Sequence, residues 1–201
     1  MRYNKKQRCL LAVTFVIIIF LLCSCQSSTD IKLDLEELHN ENGEYLFPNT
    51  EWGMSVEEVE KSLGYDFGEP IVGSEPQPFD YRKNTEYAGA VFSPHDVNIK
   101  LLDSYADISF QFKSNELISV TLKINNGNLE KINKDIFDEL TRIYGEETFR
   151  KDVDFEYNGS TIKGTDIYWE NTDTQTNYIV LSSHLENSFV ELVVSYIELD
   201  K

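Results

Sequence analysis

The hydrophobic pattern of this 201-residue chain changes its period along the sequence, and this change limits the folds open to it. Apolar residues recur about every 3.6 positions in two segments, and every second position in the segments that follow each of them. Strands therefore follow each helix as a group, which disfavours a doubly wound parallel sheet. The pattern predicts an α+β fold in which one or more antiparallel sheets carry two amphipathic helices packed on one face.

The ends of both helices are visible in the sequence. Ser55 and Glu58 form a capping box before the first helix, and Gly64 supplies the left-handed residue that follows its last turn. The second helix is expected to begin after Asn128 and to end at Gly145. Its apolar stripe consists of Leu129, Ile132, Ile136, Phe137, Leu140, Ile143 and Tyr144.

Segments of alternating polarity predict the strands. A hairpin is expected over residues 108–112 and 118–124, joined by a turn at 113–116. The order of one helix and then several strands occurs twice, so the chain can be interpreted as two tandem units, 47–125 and 126–201; convergence of helix ends on glycine is the alternative. Further strands are predicted at 87–92, 97–101, 153–157, 167–169, 177–182 and 190–196, with Asn158 and Gly159 as a type I′ turn signal.

The amino terminus has the pattern of an export signal. Four basic residues, Arg2, Lys5, Lys6 and Arg8, precede an apolar run over residues 10–22. As a helix this run would be about 20 Å long, whereas the hydrocarbon core of a bilayer is about 30 Å thick. The segment is therefore typical of a secretory signal peptide and takes no part in the fold.

The apolar run ends in Leu22-Cys23-Ser24-Cys25. This motif resembles the lipobox of bacterial lipoproteins, although Cys23 stands where Ala, Ser or Thr is more usual. The resemblance implies a diacylglyceryl group on the Cys25 thiol, cleavage before Cys25, and a location on the outer face of the cell membrane. Two acyl chains hold a protein durably, whereas one holds it weakly. An ordinary cleaved signal and an uncleaved short anchor are the alternatives.

These boundaries predict three regions: a lipoprotein signal peptide at 1–24, an acidic tether at 25–46 and an α+β domain at 47–201. The Ser-rich residues after Cys25 agree with a tether that lets the domain stand off the bilayer. The apolar residues of the acidic segment also permit a short helix or a strand there.

The charge of the chain limits its partners. Acidic residues outnumber basic ones by 35 to 18, for a formal charge of −17, and removal of the four leader bases lowers this to −21. Such a body repels nucleic acid and favours a protein or peptide partner with a basic surface. The mature chain would contain no cysteine except Cys25, which excludes disulfides, thiol catalysis and thiolate metal sites.

The step into the first helix is Trp52-Gly53-Met54-Ser55. This step, together with Val56, Val59 and Leu63 of the helix, resembles the opening of small secreted helix-plus-sheet modules. These are the BamE/small-protein-A-like and beta-lactamase-inhibitory-protein-like groups and uncharacterised lipoproteins of Gram-positive bacteria. The resemblance implies a layered α+β fold and a non-enzymatic binding or scaffolding role, and it implies no catalytic residue.

Motifs of catalysis are absent from the sequence. The histidines, His39, His95 and His184, lie in or beside predicted turns and have no HxxxH or HExxH spacing. Ser93 or Ser183 can be combined with His95 or His184, but no GxSxG elbow supports a nucleophilic hydrolase. Glycine-rich phosphate-binding motifs are also absent. We therefore expect no enzymatic activity and no cofactor.

Two groups of residues allow a binding interpretation beside a structural one. Asp152, Asp154, Glu156 and Asn158 carry oxygen ligands that suit calcium, but apolar residues alternate with them, so we interpret them as the wet face of a strand, with weak cation binding as the alternative. The acids of the second helix are interpreted as its water-facing side; they are Asp135, Asp138, Glu139, Glu146 and Glu147.

The two tryptophans also allow two interpretations. Trp52 and Trp169 can form an aromatic surface for a glycan or a peptide. A place in the core is favoured for both, because Trp169 lies in an apolar strand and Trp52 directly precedes a helix.

The sequence thus predicts a non-catalytic binding or scaffold lipoprotein of the cell envelope. An immunity-type or inhibitor lipoprotein that blocks a basic toxin or hydrolase is the first alternative. A cell-wall-modifying enzyme is the second.

Overall fold

Nine strands form one mixed sheet in the computed structural model of the chain, which describes residues 29–70, 90–94, 96–157, 160–171, 177–185 and 189–196. Two α-helices, α1 (Val56–Leu63) and α2 (Leu129–Tyr144), and a 3-10 helix at Leu35–Glu37 complete these segments. The α+β class is confirmed. The strands are β1 (Thr29–Leu33), β2 (Ala90–Phe92), β3 (Val97–Leu101), β4 (Ser104–Lys113), β5 (Glu116–Ile124), β6 (Phe149–Tyr157), β7 (Ser160–Glu170), β8 (Asn177–His184) and β9 (Phe189–Tyr196).

The sheet has the strand order β1-β3-β4-β5-β9-β8-β7-β6, and β2 pairs with the far end of β4. It is largely antiparallel, as predicted, because each pairing except that of β1 with β3 is antiparallel. β5 and β9, the last strands of the two groups, pair with each other and join the groups into one sheet.

Both helices begin and end at the residues predicted for them. Ser55 accepts a hydrogen bond from the amide of Glu58, and its own amide donates to the Glu58 carboxylate at 2.8 Å. This bond and the Ser55 hydroxyl lower the pKa of Glu58. Gly64 has a φ of 70°, which favours glycine, and it ends α1. Asn128 caps α2 through the amide of Lys131.

One hydrophobic core contains residues of both helices and of the central strands. Val59 of α1 and Leu140 of α2 are fully buried in it, beside strand residues such as Phe110 and Leu192. β8 is buried along its whole length: Ile179 and Leu181 join this core, whereas Tyr178 and Val180 join a second cluster with Tyr168.

The acidic segment assigned to the tether contains the strand and the short helix that its apolar residues permit. Residues predicted as a tether form β1, which pairs in parallel with β3, and the 3-10 helix that follows. Leu33, Leu35 and Leu38 are 5%, 1% and 0% exposed. The apolar residues of this acidic segment therefore belong to the core, and of the predicted tether only residues 25–28 lie outside the described residues.

Several other predictions fall outside the described residues. They are the signal peptide, residues 87–89 of the predicted strand at 87–92, and the turn at Asn158 and Gly159. The rest of that strand is present as β2. Within the described part of the chain, no helix is long and apolar enough to cross a membrane.

Candidate binding cleft

An open cleft of about 860 Å³ lies at one end of the sheet. Its walls are the loop of residues 40–53, the first residues of β5 and Tyr196 at the end of β9. We call this feature the acidic cleft and the segment 40–53 the cleft loop. β5 begins where β9 ends because the two strands are antiparallel, and this brings the walls together.

A buried asparagine holds the cleft loop against the sheet. Asn177 at the start of β8 is 0% exposed, and its side-chain oxygen accepts a hydrogen bond from the amide of Tyr45 at 2.6 Å. Its side-chain nitrogen donates to the carbonyl of Tyr45 at 2.8 Å and to the carbonyl of Ser195 at 3.2 Å. One side chain thus satisfies both backbone groups of Tyr45, as a neighbouring strand would.

Helix α2 supports the same part of the chain from the other side. The Tyr144 hydroxyl donates to the carbonyl of Leu35 at 2.5 Å. The rings of Tyr144 and Tyr45 pack edge to face, with centroids 5.2 Å apart. Burial is the largest cause of the raised pKa of Tyr144. Arg142 forms an ion pair with Glu36 at 2.7 Å. The cleft loop is therefore fixed by the sheet and by α2 together.

Trp52 and Tyr196 form an aromatic wall in the cleft. Their rings stack with centroids 6.0 Å apart and planes 26° apart. The Trp52 indole nitrogen donates to the carbonyl of Tyr45 at 3.0 Å, so the orientation of the ring is fixed. Tyr196 is 40% exposed. Gly53 follows with a φ of 84°, which favours glycine, and its amide donates to the carbonyl of Leu117.

The cleft is negatively charged. Four carboxylates line it, and no Lys, Arg or His is among its described lining residues. Glu44 accepts a hydrogen bond from the side chain of Asn40 at 3.0 Å. Across the segments that the structure describes, no ion pair involves the other three carboxylates, which are Glu41, Glu51 and Glu116. Such a cleft attracts cationic groups.

A serine, a histidine and an aspartate meet on the face of β8 that belongs to the second cluster. The Ser182 hydroxyl lies 2.5 Å from Asp166 Oδ1 and 2.9 Å from His184 Nε2. A carboxylate only accepts hydrogen bonds, so Ser182 donates its single proton to Asp166 and accepts from His184. A nucleophilic serine would instead donate to the imidazole. Burial and Asp166 raise the pKa of the neighbouring Tyr168 to about 12.

Among the residues that the structure describes, the serines and histidines considered in the sequence are not brought together as a site. Ser183 donates to the carbonyl of Thr165 and lies on the opposite side of β8 from His184. The ring of His39 packs on Tyr144, and His95 lies outside the described residues.

The acidic residues considered for calcium lie in a strand. Asp152 is exposed within β6 and accepts a hydrogen bond from Thr165 at 3.4 Å. The side chains of Asp154, Glu156 and Asn158 lie outside the described residues. In the part of the chain that is described, no group of three acidic, histidine or cysteine residues can hold a metal ion.

The acids of α2 and of the segment after it face water, as predicted. Asp135 and Asp138 pair with Lys131 and Lys134 one turn away. The other pairs are Glu139 with Arg142 and Glu147 with Arg150, and Glu146 is exposed.

The tryptophans have different surroundings. Trp169 is 1% exposed and donates to the carbonyl of Gly145, so its predicted place in the core is confirmed. Trp52 is half-buried, and it packs against the core while also lining the cleft. Its role as a surface for a glycan or a peptide stays a prediction.

Cys25, the predicted lipid-attachment residue, lies outside the described residues. Comparison with protein families, with curated proteins and with solved structures finds no match to this chain. The candidate site therefore stands on its own geometry.

Sequence reasoning missed the convergence that makes the cleft. Tyr196, Asn177 and the carboxylates of the cleft loop come from three distant segments. The one local signal was the Trp52-Gly53 step, where an aromatic residue precedes a glycine at the entry to a helix.

Proposed function

We propose that this protein is a lipoprotein of a bacterial cell envelope, of the Gram-positive type, anchored to the outer face of the membrane through Cys25. We propose further that it works without catalysis, as a module that binds a protein or peptide with a basic surface or serves as a scaffold. The observation that supports the binding role is the acidic cleft, whose described lining has four carboxylates and no basic side chain. The charge of −21 expected for the mature chain supports the same class of partner.

The position of β1 changes the geometry expected for the anchor. Cys25 precedes Thr29, the first residue of β1, by four positions. Even a fully extended chain spans at most about 14 Å over that distance. A lipid on Cys25 would hold the folded body close to the bilayer surface, and the stand-off expected from a longer tether does not apply.

The contacts of Ser182 do not support a nucleophilic serine at that position, because Asp166 accepts its hydroxyl proton. A cell-wall-modifying enzyme stays the alternative from another class of function. Inhibition of a basic toxin or hydrolase remains a special case of the proposed binding role.

Two finer aspects of the fold belong to the same proposal. The packing of both helices on one face of the sheet is supported by their shared core. An origin of the two units by duplication is supported by the antiparallel pairing of β5 with β9, since each is the last strand of its group. The resemblance to BamE-like and beta-lactamase-inhibitory-protein-like modules stays a prediction.

Metabolic labelling with a clickable fatty acid tests the anchor. We expect the wild-type protein to be labelled and to fractionate with membranes, and Cys25→Ala to lose both properties. Cys23→Ala is the matched control, because it removes a neighbouring thiol that cleavage would discard. Equal labelling of Cys25→Ala and wild type, or an unlabelled wild-type protein, would contradict the proposal.

A further inference from the structure

We propose that the acidic cleft binds the guanidinium group of an arginine side chain, carried by a cationic peptide or protein segment, against the aromatic wall of Trp52 and Tyr196. This inference rests on the proposed binding role, and it names the group that is recognised and the place where it is bound.

The aromatic wall suits a planar cation. The Tyr196 ring stacks on Trp52, and the residue lines the cleft with 40% of its surface exposed, which leaves area for a ligand. With centroids 6.0 Å apart, the two rings leave no room for a group between them, and the cation must lie on the outer side. Guanidinium groups stack on such faces and gain cation–π attraction there.

The carboxylates supply the second half of the recognition. Glu41, Glu51 and Glu116 line the same cleft from the loop and from β5. A guanidinium that stacks on a ring keeps its five N–H donors at its edges, where carboxylates can accept them. Metal binding does not explain these acids, because within the described residues no three of them converge as metal ligands do.

The support of the wall indicates that the cleft exists before a ligand arrives. The indole of Trp52 is tied to the carbonyl of Tyr45, which Asn177 holds in turn. The two residues that follow Trp52 bind the backbone of Leu117: the amide of Gly53 donates to the Leu117 carbonyl, and the Leu117 amide donates to the carbonyl of Met54. A preformed cleft avoids the cost of ordering a loop on binding. Its volume of about 860 Å³ accommodates several residues of a peptide rather than one ion.

The direct test is a titration of the full chain, in zwitterionic detergent micelles, with a dye-labelled peptide Gly-Arg-Gly-Arg-Gly-Arg followed by fluorescence anisotropy. The matched ligand replaces each arginine with citrulline, which keeps the shape and removes the charge. We expect the citrulline peptide to bind at least about tenfold more weakly, because it loses the attraction of the carboxylates. Equal affinity for the two peptides would overturn the inference.

Charge variants separate the cleft from the overall charge of the protein. Glu41→Gln, Glu51→Gln and Glu116→Gln together are expected to weaken binding of the arginine peptide about tenfold. The control is the combination Asp103→Asn, Glu130→Gln and Asp152→Asn, which changes the net charge equally with exposed residues near the opposite end of the sheet. It should change the affinity less than about twofold. Equal weakening by both sets would show attraction by net charge alone and would overturn the site.

An aromatic pair of variants tests the stacking. Tyr196→Ala is expected to weaken binding about two- to fivefold, and Tyr196→Phe to preserve it. Tyr105→Ala removes another exposed tyrosine, 47% exposed, from β4 where it pairs with β3, and it should have no effect. An unchanged affinity in Tyr196→Ala would contradict the role of the wall.

The peptide titration and the fatty-acid labelling test separate proposals, so either proposal can be contradicted without the other. Peptide binding by the purified chain does not require a lipid on Cys25, so binding without fatty-acid labelling would contradict the anchor and leave the cleft in place. Labelling without selectivity for arginine would contradict the cleft and leave the anchor in place. Circular dichroism and a cooperative urea transition show that each variant is folded.

Discussion

Replacement of Asn177 by leucine tests whether one buried side chain holds the cleft loop. The variant keeps the branching of the side chain but removes three hydrogen bonds, two to Tyr45 and one to Ser195. The carbonyl of Tyr45 keeps its bond from Trp52 at 3.0 Å, whereas the amide of Tyr45 loses its partner.

The expected loss of stability follows from these contacts. An amide left without a partner costs about 1–3 kcal/mol, and each of the other two bonds contributes about 1 kcal/mol. We therefore expect the free energy of unfolding to fall by about 3–5 kcal/mol. With a urea m-value of about 2 kcal/mol/M for a domain of this size, the midpoint of unfolding should fall by about 1.5–2.5 M.

Urea unfolding, followed by far-UV circular dichroism, measures this change. Asn171→Ala is the control, since Asn171 also binds the cleft loop, through the carbonyl of Gly43 at 2.8 Å, but in a solvent-exposed bond. It should cost less than about 1.5 kcal/mol. A midpoint for Asn177→Leu within error of wild type would refute the reasoning.

Asn177→Asp adds a dependence on pH to the same test. The new carboxyl would face the carbonyl oxygens of Tyr45 and Ser195, which favours its protonated form and raises its pKa above the usual value of about 3.9. Its contribution to stability is therefore fully present below the unfolded pKa and is lost as the pH rises through the folded pKa. The deficit relative to wild type should be larger at pH 7 than at pH 4. An equal deficit at both pH values would contradict this account.

Three further predictions follow from other contacts. Gly164→Ala should lower the unfolding midpoint by the equivalent of about 1–3 kcal/mol, because a Cβ there would lie 2.3 Å from the ring of His184, and a wild-type midpoint would contradict the contact. Ser55→Ala should cost about 1 kcal/mol in urea unfolding and bring the pKa of Glu58, measured by NMR titration, back toward its normal value. In an alkaline titration at 295 nm, Tyr168→Phe should remove a tyrosine that ionises near pH 12. Because folding raises the pKa of Tyr168 from about 10 to about 12, the stability that this residue contributes should be lost between about pH 10 and pH 12.

The helices could be predicted because their signals are local. The partners of each cap lie within three or four residues of one another, as Ser55 and Glu58 do, and the glycines that end the helices follow directly. The hairpin of β4 and β5 was predicted for the same reason, since its turn joins neighbours in sequence. Periodicity of 3.6 or two residues is enough to identify elements of this kind.

Contacts between distant residues explain what the sequence did not reveal. β1 pairs with a strand 68 residues further along the chain, and no local pattern in an acidic segment indicates such a partner. The sequence also does not show that both faces of β8 are buried. Asn177 and Ser182 are polar, and they are buried because of the position of β8 in the strand order. The cleft is missed for this reason too, because its walls meet through the pairing of β5 with β9.

The edge position of β1 has a practical consequence for anyone who shortens this protein. A chain cut to begin at residue 47, where its sequence suggests that the domain starts, would lack the strand that covers one side of β3. It would also lack three buried leucines, and Tyr144 would lose the carbonyl to which its hydroxyl donates. Bare strand edges recruit other strands, so such a fragment would be prone to aggregation. A fragment meant to keep β1 should therefore begin no later than Thr29.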